Sequence, residues 1–358
     1  VRYIGADDKD LDLFESQYVV PQGISYNSYV ITDEKIAVMD TIDQRKTEEW
    51  TVRLEEALEG RTPDYLIVQH MEPDHAANIG WFAEKYPEAT IVASAKAIQM
   101  MPQFFEKVNF AGRTQTVKEG DTLCLGQHTL KFIMAPMVHW PEVMLTYEES
   151  EKILFSADAF GKFGALCHEG EWIDEARRYY FNIVGKYGAQ VQALLKKTAG
   201  LDIAMICPLH GPVLKENLGY YIGLYDTWSK YEPETEGVVV AYASIHGNTA
   251  AAARRMAEIL SEKGAAEVML IDLCRDDMAL AVESAFRYSK MIVAASSYDA
   301  GVFPPMFDFL HHLQIKNFQK RRVGIIENGS WAPTAGRMMS CMLSEMKNME
   351  IMEHMVTI

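Results

Sequence analysis

Residues 69–80 read QHMEPDHAANIG and follow the short apolar run DYLIV. His70, Glu72, Asp74 and His75 fall within six positions. Imidazole nitrogens and carboxylate oxygens crowded together in this way are the donors that hold transition-metal ions. Successive side chains of extended backbone alternate sides, so His70, Glu72 and Asp74 project together while Asp74 and His75 turn the corner. A plainer alternative makes the stretch a polar loop in which Asp74 caps a helix over ANIGWFAEKYP.

Partners for a metal lie further along the chain. His139 stands in MVHWPE after the strand-like TLKFIMAP, Asp158 in FSADAFG after KILF, and His210 in ICPLHGPV after IAMIC. Each closes an apolar run beside a Pro or Gly, so one edge of a sheet system can gather all of them. YNSYVIT, KIAVMDTI, DYLIVQH, ATIVASA, TLKFIMA and KILFSADA are rich in β-branched and aromatic residues and read as strands. RKTEEWTVRLEEALEG and ANIGWFAEKYP carry the i, i+3, i+4 spacing of amphipathic helices. Strands in runs with helices between them predict a layered α/β arrangement over the first ~230 residues.

Around residue 231 the pattern changes. YEPETEG is acidic and contains Pro and Gly, which predicts a linker. GVVVAYAS, AEVMLIDL, MIVAAS and RRVGIIEN then read as buried parallel strands, with NTAAAARRMAEILSEKG as a helix between the first two. The first strand-to-helix junction is Ser244, Ile245, His246, Gly247, Asn248, Thr249. Small and hydroxyl residues there let backbone N–H groups close around a phosphate at a helix N-terminus; otherwise it is an ordinary turn with a Thr near the helix start. It is neither GxGxxG nor GxxxxGK[ST], which disfavours a dinucleotide or a nucleoside triphosphate. Two further loops follow strands: Ser297, Tyr298, Asp299, Ala300, Gly301, and Asn328, Gly329, Ser330, Trp331. Each supplies an aromatic able to cover a ring system, at the strand ends where open α/β sheets bind ligands.

The bulk numbers set limits. A chain of 358 residues suits about two domains. A formal net charge of −16 argues against nucleic acid or an anionic membrane as partner. No apolar run approaches the ~20 residues of a membrane span, and VRYIGADDKDLDLF lacks the layout of a signal peptide. Cys124, Cys167, Cys207, Cys274 and Cys341 form no CxxC. That excludes a built-in rubredoxin or Cys-ligated cluster and points to a reducing cytoplasm. Each cysteine is expected to be a small buried residue.

The second half resembles flavodoxin, with SIHGNT similar to its FMN-phosphate loop. The sequence ends at His354–Ile358, inside what reads as the fifth strand, so the final helix of that pattern is expected to be absent. The order HxExDH, then His, Asp and His resembles the metallo-β-lactamase-like fold, whose hydrolytic members carry HxHxDH. Glu72 replaces the second His. The resulting set of four His and three carboxylates, without thiolate, fits two iron ions at least as well as two zincs, with Asp158 as the bridging carboxylate.

Together the halves resemble the flavodiiron protein family. The resemblance implies an α/β chain with two domains. Residues 1–232 would form an N-terminal metallo-β-lactamase-like αββα sandwich, and 236–358 a C-terminal flavodoxin-like doubly wound parallel sheet. It implies FMN and two iron ions, one held by His70, Glu72 and His139, the other by Asp74, His75 and His210. FMN phosphate would sit on Ser244–Thr249, and its ring between the Tyr298–Gly301 and Asn328–Trp331 segments, although Asp299-Ala300-Gly301 and SWAP depart from the Asn- and Gly-rich family wording. It further implies reduction of dioxygen to water or nitric oxide to nitrous oxide in the cytoplasm of an anaerobe or microaerophile. A rubredoxin or similar small carrier would donate electrons, and a head-to-tail homodimer, or a dimer of such dimers, would be the working unit. Tyr180 in RRYYFNI is the expected proton-bearing catalytic side chain, with Tyr26 as a second candidate. The competing expectations are a zinc hydrolase with an accessory flavin domain and a non-enzymatic electron carrier.

Overall fold

The computed structural model describes residues 1–168 and 170–358. The chain divides into two compact units, Val1–Tyr179 with Ala189–Gly223, and Tyr180–Gly188 with Leu224–Ile358.

The first unit holds two facing sheets. One runs in the order Arg2–Tyr3, Tyr29–Thr32, Ile36–Met39, Tyr65–Val68, Thr90–Ser94, Thr114–Val117. Its last four strands are parallel. The other runs Thr122–Cys124, Thr129–Met134, Met144–Glu148, Ile153–Phe155, Met205–Cys207, antiparallel except for its last pair. Alternate residues Tyr29, Ile31, Ala37, Met39, Ile67 and Val92 of the first sheet meet Leu130, Phe132, Met144, Ile153 and Phe155 of the second in one core. The intervening Val30, Val38, Leu66, Val68 and Ile91 are equally buried, because the helices Thr47–Leu58 and Ala95–Phe104 cover that face. Strands buried on both faces lose the polar alternation of a half-exposed sheet and read as continuous apolar runs. Beyond the second sheet, Lys197 of the helix Gly188–Thr198 donates to the Met134 carbonyl at 2.7 Å. The layering is the expected αββα sandwich.

The second unit is one parallel sheet in the order Val268–Asp272, Thr235–Ala243, Tyr288–Tyr298, Arg322–Asn328, with Glu350–Ile351 and Val356–Thr357 beside the last. Counted along the chain this is the 2-1-3-4-5 order of a flavodoxin-like sheet, whose switch point lies between the first and third strands. The stretch expected to be a linker is fixed structure inside this unit. Its strand already begins at Thr235. Gly237 is required there, since a Cβ would lie 2.6 Å from the Tyr288 ring and 3.0 Å from the Glu267 carbonyl. The buried Arg321 donates to the carbonyls of Tyr231 and Tyr288 at 2.8 and 2.7 Å, holding a segment whose composition alone suggests freedom.

The cysteine expectation fails at four positions. Only Cys207, in the sandwich core, is buried; Cys124, Cys167, Cys274 and Cys341 are exposed and unpaired. Cys341 shows the reason: Met339, Met342 and Leu343 occupy the inward face of its helix, Ala335–Ser344, leaving it outside. Among the described residues no helix is long and apolar enough to cross a membrane.

Candidate metal centre and flavin cradle

At the end of the strand Tyr65–Val68, Gln69 is held through both backbone and side chain. Its N–H donates to Asp40 Oδ1 at 2.7 Å and its Nε2 to Asp40 Oδ2 at 2.9 Å. Next comes His70, whose Nδ1–H donates to Glu142 Oε1 at 2.8 Å, the oxygen that also accepts the Met71 N–H. Glu72 is extended and precedes a short helix, Pro73–Ala76, that starts on Pro73. Asp74 is thus within the first turn rather than at its cap, and the following helix begins at Ile79 with Asn78 at its N-cap. The capping alternative for Asp74 does not survive.

His139, Asp158 and His210 join this corner from the second sheet. One cluster is His70, Glu72, His139 and Asp158; the other is Asp74, His75 and His210. Asp158 faces both. Its Oδ2 lies 3.2 Å from His70 Nε2 and 3.1 Å from His139 Nε2, and its Oδ1 lies 3.2 Å from His75 Nε2 and 3.7 Å from His210 Nε2. Glu72 Oε2 is 3.3 and 3.1 Å from the same nitrogens of His70 and His139. Asp74 Oδ2 is 3.2 Å from those of His75 and His210.

These residues fit metal ions on three grounds. Two donors about 2.1 Å from one ion, at roughly 90–109° to each other, lie about 3.0–3.4 Å apart, as these do apart from the 3.7 Å pair of Asp158 and His210. The buried oxygens of Asp74 and Asp158 have no hydrogen-bond donor, a costly state for a carboxylate unless a cation answers it. The histidines are also set in the ligating tautomer: His70 and His210 commit Nδ1–H to Glu142 and to the Ser25 carbonyl (2.7 Å), which leaves Nε2 free to bind. His75 Nε2 and His210 Nε2 face each other at 3.1 Å.

In the metal-free chain, protons take the cation's place. Burial opposes the charged form of His139, yet the neighbouring carboxylates of Asp158 and Glu72 outweigh it and carry the imidazole up to about 9. His70 is likewise raised, against burial, by Asp158, Glu142 and Glu72. Asp158 is held well below its ordinary range by His70 and His139 despite complete burial. Burial, reinforced by Glu72 and Asp158 against the pull of His75, lifts Asp74 to about 7.

Tyr180 does not belong to this cluster. It opens a π-helical turn, Tyr180–Val184, in the second unit, and its ring packs on Phe181, Tyr225 and Trp228 at 4.9–5.2 Å. The adjacent Tyr179, at the end of the helix Trp172–Tyr179, lies 5.5 Å from the His210 ring. Neighbouring helical residues point about 100° apart, so one register step separates a ligand contact from a core aromatic. Tyr26 does pack on His210, at 6.0 Å. Glu142 and Glu15 were missing from the sequence reading. Burial and then Glu72 push the Glu15 carboxyl up to about 7. Glu142 ends the stretch MVHWPE, three positions after His139, but the spacing does not show that it reaches His70, and no motif ties Glu15 to the ligands.

The three loops of the second unit converge on a cavity of about 650 Å³, within the usual range for small-ligand sites. Every expected flavin-loop residue lines it except Gly247 and Gly301, which act through the backbone. Gly247 adopts φ +95° at the N-cap of the helix Asn248–Glu262, a conformation that favours glycine, and its N–H donates to Ser244 Oγ at 3.1 Å. The first N–H groups of that helix have no partner within it, and Asn248 and Thr249 line the cavity. Asp299 and Ala300, with φ of +47° and +59°, form the two-residue turn joining Tyr298 to Gly301. Side chains tie the loops together. Thr249 Oγ1 and Ser296 Oγ are 2.9 Å apart, and Asn328 Nδ2 donates to Thr249 Oγ1 at 3.3 Å. Ser297 Oγ accepts the N–H groups of Thr334 and Ala335 at 2.8 and 3.1 Å. The arrangement fits a phosphate at the helix N-terminus and a flat ring beside Tyr298 and Trp331.

Comparison with known proteins agrees with both halves. A family model described as ODP family beta lactamase matches residues 24–211, more than half of the chain. An uncharacterized protein of Methanocaldococcus jannaschii is 31% identical over 319 residues, 87% of this chain and 80% of that one. An anaerobic nitric oxide reductase flavorubredoxin of Aliivibrio fischeri is 29% identical over 345 residues, 92% of this chain and 68% of its own. The structure of rubredoxin oxygen:oxidoreductase from the anaerobe Desulfovibrio gigas superposes with a TM-score of 0.90 at 26% identity, covering 97% of this chain and 88% of that one.

Proposed function

The chain belongs to the flavodiiron protein family, an oxidoreductase family, and from that premise we propose that it reduces dioxygen or nitric oxide at a pair of iron ions fed through FMN. The observation that carries this reading is Asp158, buried and without a hydrogen-bond donor, with one oxygen turned to each histidine cluster. His70, Glu72 and His139 would hold one ion, and Asp74, His75 and His210 the other. FMN would lie in the cavity of the second unit. When bound, iron and FMN supply the electrons and the open positions at which a diatomic is reduced.

The chain's own contribution is placement. Glu142 and the Ser25 carbonyl orient two ligand rings, Asp40 fixes the strand end, and burial of His70, His75, Asp158 and His210 keeps bulk water from all but one edge. The hard donor set with Glu72 in place of a histidine favours iron over the zinc of a hydrolase. A rubredoxin-type carrier is the donor, following the names of two relatives. A head-to-tail homodimer lets the flavin of one copy serve the metals of another. The free thiols suit a reducing cytoplasm.

Metal and flavin analysis after anaerobic, iron-replete growth tests the site, and anaerobic stopped-flow of the reduced protein against each gas tests the substrate. Two zincs per chain without iron, or equal sluggishness towards both gases, would overturn the proposal. Mixing Asp158→Ala chains with flavin-stripped parent chains tests the dimer: activity restored only in the mixture is the expected result.

A further inference from the structure

The two metal positions are framed differently. On the side of Asp74 and His75, His210 meets aromatic rings from three separate elements, Phe14 at 5.5 Å, Tyr179 at 5.5 Å and Tyr26 at 6.0 Å. On the side of His70, Glu72 and His139 a single ring does this work. Trp140 lies 5.3 Å from the His70 ring at 89° and 6.2 Å from the His139 ring at 73°, and the two imidazoles are 5.1 Å apart at 77°. The three rings meet edge to face around one corner. Among the described residues no other aromatic outside the ligand set lies against His70 or His139.

The histidines of this position are also held unequally. His70 commits its Nδ1–H to Glu142, whereas among the described residues His139 has polar partners only at Nε2, the atom that must face an ion. Its ring is therefore turned by packing. The loop that carries Trp140 is fastened firmly enough to provide that packing. The Trp140 carbonyl accepts the Met137 N–H at 2.7 Å, the Ala135 N–H donates to the Val143 carbonyl at 2.9 Å, and the Met144 N–H donates to the Gln69 carbonyl at 3.1 Å, next to His70. Ser94 Oγ donates to the Glu142 carbonyl at 2.8 Å. One loop, 137–144, thus supplies a ligand, the acceptor that orients a second ligand, and the ring on which both rest.

Resting on the diiron reading above, we propose that Trp140 is a positioning residue for the metal position made by His70, Glu72 and His139. Its indole fixes the rotation of His139, the ligand ring there that has no hydrogen bond behind it. It does by packing what Glu142 does for His70 and the Ser25 carbonyl does for His210. Rotation of a histidine ring about its Cβ–Cγ bond is broad and weakly restrained, so without the indole Nε2 is free to turn away from Asp158 and Glu72. The other position does not depend on any one ring, because His210 keeps both its Nδ1–H bond and two remaining aromatics when one is removed.

The test is a chelator competition on the metal-loaded holoprotein that resolves the two ions, joined to Mössbauer spectra of iron-loaded samples. Trp140→Ala and Trp140→Leu should weaken one ion by on the order of 10- to 100-fold, leave the other near its parental affinity, and broaden one of the two iron signals. Trp140→Phe keeps a flat ring and should restore both readings. Phe14→Leu, which removes one of three rings around His210, should hold both ions as the parent does. Where Trp140→Ala fails to fold, Trp140→Leu carries the comparison. Parental affinity for both ions in Trp140→Ala or Trp140→Leu overturns the proposal. Loss of both ions together with a lowered melting temperature also overturns it, since the indole would then support the fold at large. Zinc in place of iron in every variant overturns the diiron reading alone, because the competition reads the effect of the indole with either metal.

Discussion

The metal cluster draws its side chains from strand ends in two sheets and is almost wholly buried, whereas the flavin cradle is made by three loops at one sheet edge and stays open to solvent. Their polar groups differ accordingly. In the cradle, Thr249, Ser296, Ser297 and Asn328 answer one another and the helix N-terminus at Thr334 and Ala335. In the cluster, the oxygens of Asp74 and Asp158 are left without donors in a dry interior. A self-satisfied loop set can persist without its ligand, while a buried set of unanswered carboxylates depends on its cations. Metal loss should therefore be felt throughout the first unit and flavin loss only locally.

The strongest way to break that contrast is Asp158→Ala. Because one carboxylate faces both clusters, its loss should bring iron content close to zero at both positions while FMN stays near stoichiometric. Retention of one iron per chain would show that Asp158 does not bridge. The next effect is acid sensitivity. Below about 9 the metal-free His139 carries a proton, and below about 7 Asp74 carries another. A metal ion must expel these protons to bind. Apparent metal affinity should therefore rise about tenfold per pH unit for each proton released, more steeply below pH 7, and the His139 contribution should end near pH 9. A flat metal profile between pH 6 and 9, measured by competition with a chelator, would contradict the protonation pattern.

Much of this was legible in the sequence, for physical reasons that also mark where it stopped. The seven ligands stood out because each ends an apolar run, and a polar residue at a strand end is conspicuous. The three flavin loops were legible for the same reason. The strand Met144–Glu148 was not, since its buried Thr146 and Glu148 break the apolar run that signals a strand. Sequence does not separate Tyr180 from Tyr179, because it does not show which way a helix points as it passes into a π-helical turn. The stretch at 231–237 read as a linker because composition is blind to Arg321, some ninety positions away in the chain. Glu142 ends the stretch MVHWPE, but its role was invisible because only the folded strands bring it to His70.

Glu142 separates orientation from ligation within the metal cluster. Glu142→Ala leaves the His70 Nδ1–H and the Met71 N–H without their acceptor and should weaken metal binding between 10- and 100-fold. Glu142→Gln keeps an acceptor and should lose only about tenfold. If both variants bind metal like the parent, the ring is positioned by packing instead.

The smallest effect belongs to the cradle and completes the contrast. Thr249 Oγ1 touches both Ser296 and Asn328, so Thr249→Ala removes a shared partner without unfolding the loops. A hydrogen bond of this kind contributes about 0.5–1.5 kcal/mol, which is roughly a 2- to 12-fold loss of FMN affinity. Ser297→Ala, which releases Thr334 and Ala335, should fall in the same range. In both variants iron content and the melting temperature of the first unit should stay at parental values. Flavin release on dilution, read by recovered FMN fluorescence beside an iron assay, measures both quantities in one sample. Iron lost together with flavin would mean that the two sites depend on each other, and the division between a cation-dependent core and a self-supporting cradle would have to be abandoned.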